Sequence, residues 1–342
     1  MSARRKKAVD FLAEARARGQ NVPEEVGDLI RSALAPSTRR TYSSGEKLFR
    51  DVILGSRVRL DKMYPVSAES VLTFVYILNK VGYAYSTIKT YTAALKTRNI
   101  EVGHIFSQIE VEHIRRALIA VRKENSGASV EPTAKLPVTI SQTRQALKAC
   151  VKEKKRSGIA LLVCIFGLLR CRECLGLRCN DITFNTIDDM DVVSLYINRS
   201  KCDRFGEGAL VRIGCAVRST ARPCKEPLCA VHQLYAFMCD GFAANTMERT
   251  SLLFNNLSYS TFRRHVQEVF RSSERPQSSV ATHSLRRSGA QWMWFAGIST
   301  FNIAQYGRWS VQSVLERTYL KGVTKASEHQ YASSMMRGSY HP

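Results

Sequence analysis

THSLRR, the stretch Thr282–Arg287, begins a segment whose apolar residues recur at helical spacing as far as Phe295. His283 and Arg286 stand three residues apart in it, so a helix would present both side chains on one face. The loop Pro276–Thr282 precedes them and places them near the helix start, where backbone amides add positive potential. This combination is typical of a site that binds a phosphate.

A tyrosine follows this pair within two predicted helices. The motifs GRWS, Gly307–Ser310, and RTYL, Arg317–Leu320, come next, and Tyr319 belongs to the second. A phenol, with a pKa of about 10, needs neighbouring cations to stabilise its anion when it attacks a phosphate. Of the thirteen tyrosines, Tyr306 and Tyr331 are competing candidates, but only Tyr319 stands at a distance that lets the chain fold back onto the site.

An arginine also lies at the edge of a strongly apolar helix, predicted over Gly158–Leu177. Arg170 and Glu173 are three residues apart on one face of that helix. An arginine beside an apolar core needs an anionic partner. Two interpretations are open: a structural ion pair between these two residues, or a carboxylate that orients the guanidinium while it binds a phosphate.

The charge of the chain favours a polyanionic partner. Its 342 residues include 51 lysines and arginines against 29 acidic residues, a net charge of +22. Nucleic acid is the commonest partner of such a chain. A membrane surface is disfavoured, because the basic residues do not flank an apolar anchor. The most apolar segment, Ile159–Leu169, is well short of the roughly 20 residues that span a bilayer.

The cysteines and the first residues indicate an intracellular protein. Ten cysteines are present, and no apolar signal follows the basic run Ala3–Lys7, so reduced thiols are expected. In a eukaryotic cell, Arg4–Lys7 would serve as a nuclear-import signal; a phosphate-binding arm and a solvated terminus are the alternatives.

No metal site and no cofactor are predicted. Cys215, Cys224, Cys229 and His232 could be drawn as four ligands, but their spacing matches no well-formed zinc pattern. Leu228–Val231 looks instead like the buried start of a helix. The sequence also has no Walker-type phosphate loop and no acidic cluster suited to two-metal nuclease chemistry.

Composition and periodicity divide the chain into four parts. These are a basic N-terminal arm (1–34), a helical core DNA-binding domain (35–123), a polar Gly/Ser/Pro linker (124–137) and a C-terminal catalytic domain (138–342). Alternating periodicity at Val192–Ile197 and Ala209–Ile213 predicts a hairpin in the last part. The predicted fold is mainly α, with an all-helical N-terminal domain and an α+β C-terminal domain containing a small antiparallel sheet, closing as a C-shaped clamp on DNA.

Short hydroxyl and basic side chains cluster at two predicted helix starts in the N-terminal domain. Such groups suit contacts with DNA phosphates, and helix capping beside an exposed face is the alternative explanation. The candidate DNA-binding residues are Ser37, Thr38, Arg39, Arg40, Ser86, Thr87, Lys89 and Tyr91.

The order of these motifs resembles the tyrosine recombinase family, the phage-integrase and Cre-like enzymes. The resemblance covers roughly residues 140–325 and rests on LLRxxE at Leu168–Glu173, a hairpin lysine, HxLR at His283–Arg286, GxW at Gly307–Trp309 and the late Tyr319. The GxW motif and the Tyr-Leu pair look most like the eukaryotic crypton and DIRS-type mobile-element recombinases.

The resemblance implies site-specific recombination, for integration or excision of a mobile element, without metal or ATP. Tyr319 would attack the scissile phosphate and form a 3′-phosphotyrosyl bond. Arg170 and Arg286 would hold the two non-bridging oxygens, and His283 would bind the phosphate and assist proton transfer.

Two further roles implied by the resemblance have more than one candidate. Lys201 matches the lysine that protonates the leaving 5′ oxygen, and Arg199 and Arg204 stand beside it in the hairpin. Trp309 matches a phosphate-binding donor. It lies ten residues before the tyrosine, whereas nine is the commonest spacing in the family, so Arg308 is a substitute.

Strand exchange would need double-stranded DNA and a homo-tetramer on two sites, with a dimer on each. Val323–Met336 is the expected segment that docks on a neighbouring protomer. Two other functions are open: relaxation of supercoils by a type IB topoisomerase-like enzyme, and non-catalytic DNA binding by a domesticated protein.

Overall fold

The computed structural model describes residues 32–127, 137–200, 203, 206–217, 224–271 and 280–320, together with six single residues before position 32. The chain divides into two compact units, Met1–Val130 and Glu131–Pro342. Several features of the sequence analysis lie outside the described residues, namely Arg4–Lys7, Lys201, Arg204, Tyr331 and Val323–Met336.

The described part of the first unit is all-helical. Its helices are α1 (Pro36–Phe49), α2 (Ala68–Lys80), α3 (Tyr85–Glu101) and α4 (Gln108–Gly127), with a π-helical turn at Arg50–Leu54 and a 3-10 turn at Leu60–Lys62. Ser67 begins α2, because its hydroxyl accepts a hydrogen bond from the Ser70 amide. The apolar faces of the helices bury one core around Phe49, Phe74, Leu78, Ile88, Leu95 and Ile114.

Helix α4 continues to Gly127, so the first residues of the predicted linker are helical. The Asn79 amide donates to the Glu124 carboxylate over 2.7 Å, and the Asn125 amide donates to the Val121 carbonyl over 2.9 Å. The polar composition therefore reflects side chains that hydrogen-bond to α2 and within α4, and it does not end the helix.

The two groups of candidate DNA-binding residues lie at opposite ends of a helix pair. The ring of Tyr91 packs on Gly45, where a Cβ atom would come within 2.7 Å of it, while Arg39 shares a surface cleft with Arg98 and Glu101. Helices α1 and α3 are therefore antiparallel, so their starts point in opposite directions. Tyr91 packs between the helices, whereas most of the other candidates are exposed.

The second unit surrounds one apolar helix. Its helices are α5 (Ile140–Ala149), α6 (Lys155–Phe166), α7 (Cys171–Leu175), α8 (Ala230–Ala243), α9 (Tyr259–Val269), α10 (Thr282–Phe295), α11 (Thr300–Tyr306) and α12 (Gln312–Val314), with 3-10 turns at Lys152–Lys154 and Cys179–Asp181 and a π-helical turn at Leu315–Tyr319. Helices α8, α9 and α10 pack against α6, whose residues from Ser157 to Ile165 are all buried. None of the helices in the described ranges combines the length and the apolar character needed to cross a bilayer.

A three-stranded antiparallel sheet completes the second unit, in the order β1 (Ile182–Ile187), β2 (Met190–Ile197) and β3 (Ala209–Gly214). The predicted hairpin is β2 and β3, and the predicted fold class is confirmed. The sequence analysis missed β1, because this edge strand is mostly exposed and lacks a clear apolar alternation. Its turn to β2 consists of Asp188 and Asp189, with φ of 49° and 58°, as a tight hairpin requires.

The single helix predicted over Gly158–Leu177 is wrong, since the chain forms α6 and α7 with a break between them. The break lies where α10 crosses α6: a Cβ atom on Gly289 would come within 2.1 Å of the Ile165 carbonyl oxygen. Leu168 then has a φ of 45°, which ends the helical path. Arg170 consequently lies at the start of a new helix and not within a long one.

Candidate active site

Arg170 immediately precedes α7, and Glu173 lies in the first turn of that helix. The Glu173 carboxylate accepts hydrogen bonds from the Arg170 backbone N–H over 2.9 Å and from Arg170 Nη1 over 2.6 Å. The same Nη1 atom lies 3.3 Å from the hydroxyl oxygen of Ser200, the hairpin residue directly before Lys201. The carboxylate thus both caps the helix and orients the guanidinium, so the two interpretations of this pair are compatible.

Glu173 carries the negative charge at the centre of the site. Its side chain is only 3% exposed, and its carboxylate accepts from Arg308 Nη2 over 2.9 Å and lies 3.7 Å from Arg286 Nη1. Burial raises the pKa of Glu173, but the hydrogen bonds from Arg170 and the charge of Arg308 outweigh it, so the pKa is below its usual value. Glu173 is therefore ionised and compensates three arginines.

Arg286 is a fully buried cation in α10. Its Nη2 atom donates to the Gly307 carbonyl oxygen, and its guanidinium lies 4.4 Å from the centroid of the Trp309 ring. Its Nε and Nη1 atoms have no hydrogen-bond partner. Burial, and next the charge of Arg170, lower its pKa to about 10, so the side chain is still protonated at neutral pH.

Five buried side-chain donor atoms in the described residues lack hydrogen-bond partners, and all of them belong to this site. They are Nε and Nη1 of Arg286, Nε and Nη1 of Arg308, and Nε1 of Trp309. An unsatisfied buried donor costs about 1–3 kcal/mol, so a native fold rarely concentrates them without a ligand. Donors on two cations indicate an anion with several acceptor oxygens. Arg308 and Trp309 are the two candidates for the phosphate-binding donor, and each has at least one of these unpartnered donor atoms.

The GxW motif needs a glycine at position 307 because the Trp309 ring packs directly against it. A Cβ atom at this position would lie 1.7 Å from the Trp309 ring, so any side chain would displace the indole. The Gly307 carbonyl is also the acceptor for Arg286. The motif therefore positions a ring and an arginine at once.

The Tyr319 ring lies among the predicted catalytic residues. Its centroid is 4.7 Å from that of Trp309 and 5.0 Å from that of His283, and it lies 5.9 Å from the Arg286 guanidinium. His283 is exposed while Arg286 is buried, although both project from the start of α10. The fold thus brings the histidine and the arginine of α10 next to the tyrosine, although His283 and Tyr319 are 36 positions apart in the sequence.

The backbone before Tyr319 accommodates the ten-residue step from Trp309. Residues Leu315–Tyr319 form a π-helical turn, closed by a hydrogen bond of 3.0 Å from the Leu320 amide to the Leu315 carbonyl. A π-helical turn takes up one more residue than an α-helical turn. The extra residue relative to the commonest family spacing therefore does not move the tyrosine away from the indole.

Two residues that the sequence analysis did not select hold the backbone of the tyrosine. Arg287 Nε and Gln291 Nε2 donate to the Tyr319 carbonyl oxygen over 3.1 and 2.9 Å. They are four residues apart on α10, so they share a face next to Arg286. Their four-residue spacing was the one signal in the sequence that could have identified them as a pair.

Tyr306, a competing nucleophile, has a structural role. Its hydroxyl lies 2.7 Å from the Phe166 carbonyl oxygen and 3.0 Å from that of Arg212, so it donates to the backbone. Burial raises its pKa to about 12, which disfavours the phenolate. Tyr306 thus ties α11 to the end of α6 and to β3.

Replacing Glu173 with glutamine is expected to destabilise the fold. Removing one partner from a buried ion pair costs about 3–5 kcal/mol, and here three arginines lose their counter-charge. Because the pKa of Glu173 is lower in the folded than in the unfolded state, its contribution is present above the unfolded value of 4.5 and is lost as pH falls through the folded value. Thermal melts of wild type and Glu173→Gln should therefore converge in acid.

Glu112→Gln is the matched control, because Glu112 pairs with Arg115 and Arg116 on the exposed face of α4. We expect its melting temperature at neutral pH to stay close to that of the wild type. Equal shifts for both variants would contradict a special role for Glu173.

Comparisons with known proteins yield matches only to solved structures. No family model matches the chain, and no curated protein matches it. An integrase of the Tn1549 transposon in complex with transposon right end DNA has a TM-score of 0.55 and 14% identity, covering 93% of this chain and 97% of that chain. A lambda integrase dimer bound to a COC′ core site has a TM-score of 0.55 and 14% identity, covering 86% and 93%.

The XerH site-specific recombinase in its post-cleavage complex with palindromic difH substrate is similar too. It has a TM-score of 0.53 and 12% identity, and the match covers 87% of this chain and 80% of that chain. The similarity extends over both units in each case. The chain therefore has the fold of the tyrosine recombinases and integrases, as the order of its motifs predicted.

Proposed function

We propose that the chain is a site-specific DNA recombinase that cleaves and rejoins strands through a 3′-phosphotyrosyl intermediate, with Tyr319 as the nucleophile. The observation that carries this proposal is the set of unpartnered buried donors on Arg286, Arg308 and Trp309 beside a tyrosine ring. These donors match the non-bridging oxygens of a phosphodiester, on which negative charge increases during in-line attack. The net charge of +22 favours the same substrate.

Each residue has a definite part in the proposed reaction. The Tyr319 oxygen bonds to phosphorus while the bond from phosphorus to the 5′ oxygen breaks. His283, whose ring lies 5.0 Å from that of the tyrosine, assists removal of the phenol proton. Arg170 and Arg286 bind the non-bridging oxygens. Lys201 protonates the leaving 5′ oxygen, which is consistent with the contact of its neighbour Ser200 with Arg170.

Double-stranded DNA is the proposed partner, since the similar Tn1549 integrase is in complex with transposon right end DNA and the net charge of +22 suits a polyanion. The candidate residues at the starts of α1 and α3 would contact its phosphates. Exchange between two sites would use four protomers, with Val323–Met336 docking on a neighbour. Action on a mobile element is consistent with the similarity to a transposon integrase. In a eukaryotic cell, Arg4–Lys7 would direct the protein to the nucleus.

Capture of covalent adducts tests the reaction and identifies the target together. The full chain is incubated with a random-sequence duplex library that carries single nicks, so that a cleaved strand end diffuses away and traps the intermediate. We expect detergent-resistant adducts with phosphate on the protein-linked 3′ end and a free 5′ hydroxyl. Sequencing the trapped ends gives the site. Adducts through 5′ phosphates, or DNA binding with no adduct, would contradict the proposal.

A plasmid that carries two copies of the recovered site then separates the possible functions. Recombination predicts deletion or inversion between the copies and a protein–DNA complex with the mass of four protomers. Relaxed plasmid without exchange identifies a type IB topoisomerase-like enzyme. A non-catalytic DNA-binding protein is identified one step earlier, because it binds the duplex library but forms no adduct.

A further inference from the structure

Four sulfur and nitrogen donor atoms converge between the sheet and α8. They belong to Cys215, Cys224, Cys229 and His232, and all lie within 4.8 Å of one another. His232 Nδ1 lies 3.2 Å from the sulfurs of both Cys224 and Cys229 and 3.8 Å from that of Cys215. The sulfurs of Cys215 and Cys229 are 3.7 Å apart.

These separations match a tetrahedral zinc site. With Zn–S bonds of about 2.3 Å and a Zn–N bond of about 2.0–2.1 Å, tetrahedral angles place two sulfurs about 3.8 Å apart and a sulfur and a nitrogen about 3.6 Å apart. Four of the six separations, 3.2 to 3.8 Å, deviate from these values by about 0.4 Å or less. The other two, from the sulfur of Cys224 to those of Cys215 and Cys229, are at most 4.8 Å, about 1 Å above the ideal value. A tetrahedral ion therefore fits between the four atoms if the Cys224 sulfur moves by about 1 Å or less.

Hydrogen bonds alone do not account for this arrangement. His232 Nε2 lies 3.0 Å from Asp191 Oδ2, so the Nε2–H group of a neutral imidazole donates to the carboxylate. Nδ1 then has one lone pair and can accept from one thiol, yet three thiols face it. A cation bound to that lone pair and to three thiolates accounts for all three sulfur–nitrogen contacts. Without the ion, the Cys215 thiol donates to the Val217 carbonyl oxygen over 2.8 Å, and metal binding would replace that hydrogen bond. A histidine that donates its second N–H to a carboxylate is also the usual arrangement behind a bound zinc ion.

The ligands come from elements that the fold brings together. Cys215 directly follows β3, and its amide donates to the Asp191 carbonyl oxygen over 2.8 Å. Cys229 is the residue before α8, and His232 lies in the first turn of that helix, where the dipole favours a thiolate. Cys224 and Cys229 are buried, as expected for ligands of a structural ion.

We propose that Cys215, Cys224, Cys229 and His232 bind one Zn²⁺ ion in a closed structural site. The sequence analysis predicted no metal. It judged that the spacing matches no well-formed zinc pattern: four residues separate Cys224 from Cys229, two separate Cys229 from His232, and Cys215 belongs to a different element. Four protein ligands leave no open position, so the ion stabilises the domain and takes no part in cleavage.

The position of the site in the hairpin supports a structural role. Val192 pairs with Gly214 next to the cysteines, whereas Ile197 pairs with Ala209 at the end that leads to Lys201. Five residue steps separate the two pairs, a distance of about 17 Å. The metal would therefore fasten the far end of the hairpin to α8.

Metal analysis of the full chain tests the proposal independently of DNA cleavage. We expect about one zinc per chain after purification without chelator, and an X-ray absorption spectrum with three sulfurs at about 2.3 Å and one nitrogen at about 2.0 Å. Cys224→Ser should lose most of the metal. Cys239→Ser, which changes an exposed cysteine of α8, should keep it. A strong chelator should lower the melting temperature of the wild type.

Three results would overturn the proposal: wild-type protein without bound metal, a coordination shell dominated by oxygen, or a disulfide between Cys215 and Cys229 found by mass spectrometry. If Cys224→Ser does not fold, the wild type loaded with Co²⁺ still decides the question. Three thiolate ligands predict sulfur-to-cobalt charge-transfer absorption, and its absence would also overturn the assignment.

Discussion

Replacing Tyr319 with phenylalanine is expected to abolish the covalent protein–DNA adduct while DNA binding stays unchanged. Phenylalanine keeps the ring contacts with Trp309 and His283, and the backbone carbonyl still accepts from Arg287 and Gln291. Only the attacking oxygen is lost. Removal of a nucleophile lowers a reaction rate by at least about 10⁴-fold, so adducts on a nicked target duplex should fall below detection.

Tyr306→Phe is the matched control, because the hydroxyl of Tyr306 hydrogen-bonds to backbone carbonyls. Its loss should lower stability by about 1 kcal/mol and leave adduct formation intact. Both variants are compared by gel shift and by denaturing electrophoresis. A persistent adduct with Tyr319→Phe, or its disappearance with Tyr306→Phe alone, would show that Tyr319 is not the nucleophile.

Arg286→Lys is expected to slow cleavage by about 10²–10³-fold, the effect typical of removing a donor that stabilises transition-state charge. Lysine keeps the charge but not the planar fork, so it cannot present the Nε and Nη1 donors while it bonds to the Gly307 carbonyl. Its stacking on Trp309 is also lost. Single-turnover adduct formation at saturating DNA measures the rate, and gel shift should show a much smaller change in binding.

Arg263→Lys, on the exposed side of α9, controls for the general effect of an arginine-to-lysine change. At saturating DNA its rate should equal that of the wild type. A rate for Arg286→Lys within a factor of two of the control, or a loss confined to DNA affinity, would contradict a role for Arg286 in the transition state.

Local patterns in the sequence predicted the main parts of the site. The three-residue spacing of His283 and Arg286, the GxW motif and the late tyrosine each depend on residues close together in the chain. The helical and alternating periodicities also predicted a mainly α fold with a hairpin. The sequence analysis missed strand β1 because only Ile182 and Phe184 of this edge strand pack on the core, so its apolar alternation is short.

Local patterns predicted neither where the apolar helix ends nor how the chain before Tyr319 is wound, and the tertiary structure shows both. The long predicted helix ends at Phe166, where the backbone of α10 passes close to it at Gly289, and this break makes Arg170 the residue that caps α7. A π-helical turn takes up the extra residue before Tyr319. Gly167, the cap residue after α6, was a local signal for the break that the sequence analysis did not use. No short spacing or residue type in the sequence marks the π-helical turn.

The sequence by itself determined the mainly α fold class and predicted the kind of chemistry, from a basic chain with arginines, a histidine and a tyrosine in an order that indicates a phosphate site. Only the tertiary structure decided which of these residues contact one another, which are buried and which donors have no partner. It placed Glu173 among three arginines, left donors of Arg286, Arg308 and Trp309 without partners beside Tyr319, and gathered three cysteines and a histidine beside α8. The reason is physical: residue types and short spacings are properties of the chain, whereas burial, counter-charge and ligand convergence arise only when distant segments pack together.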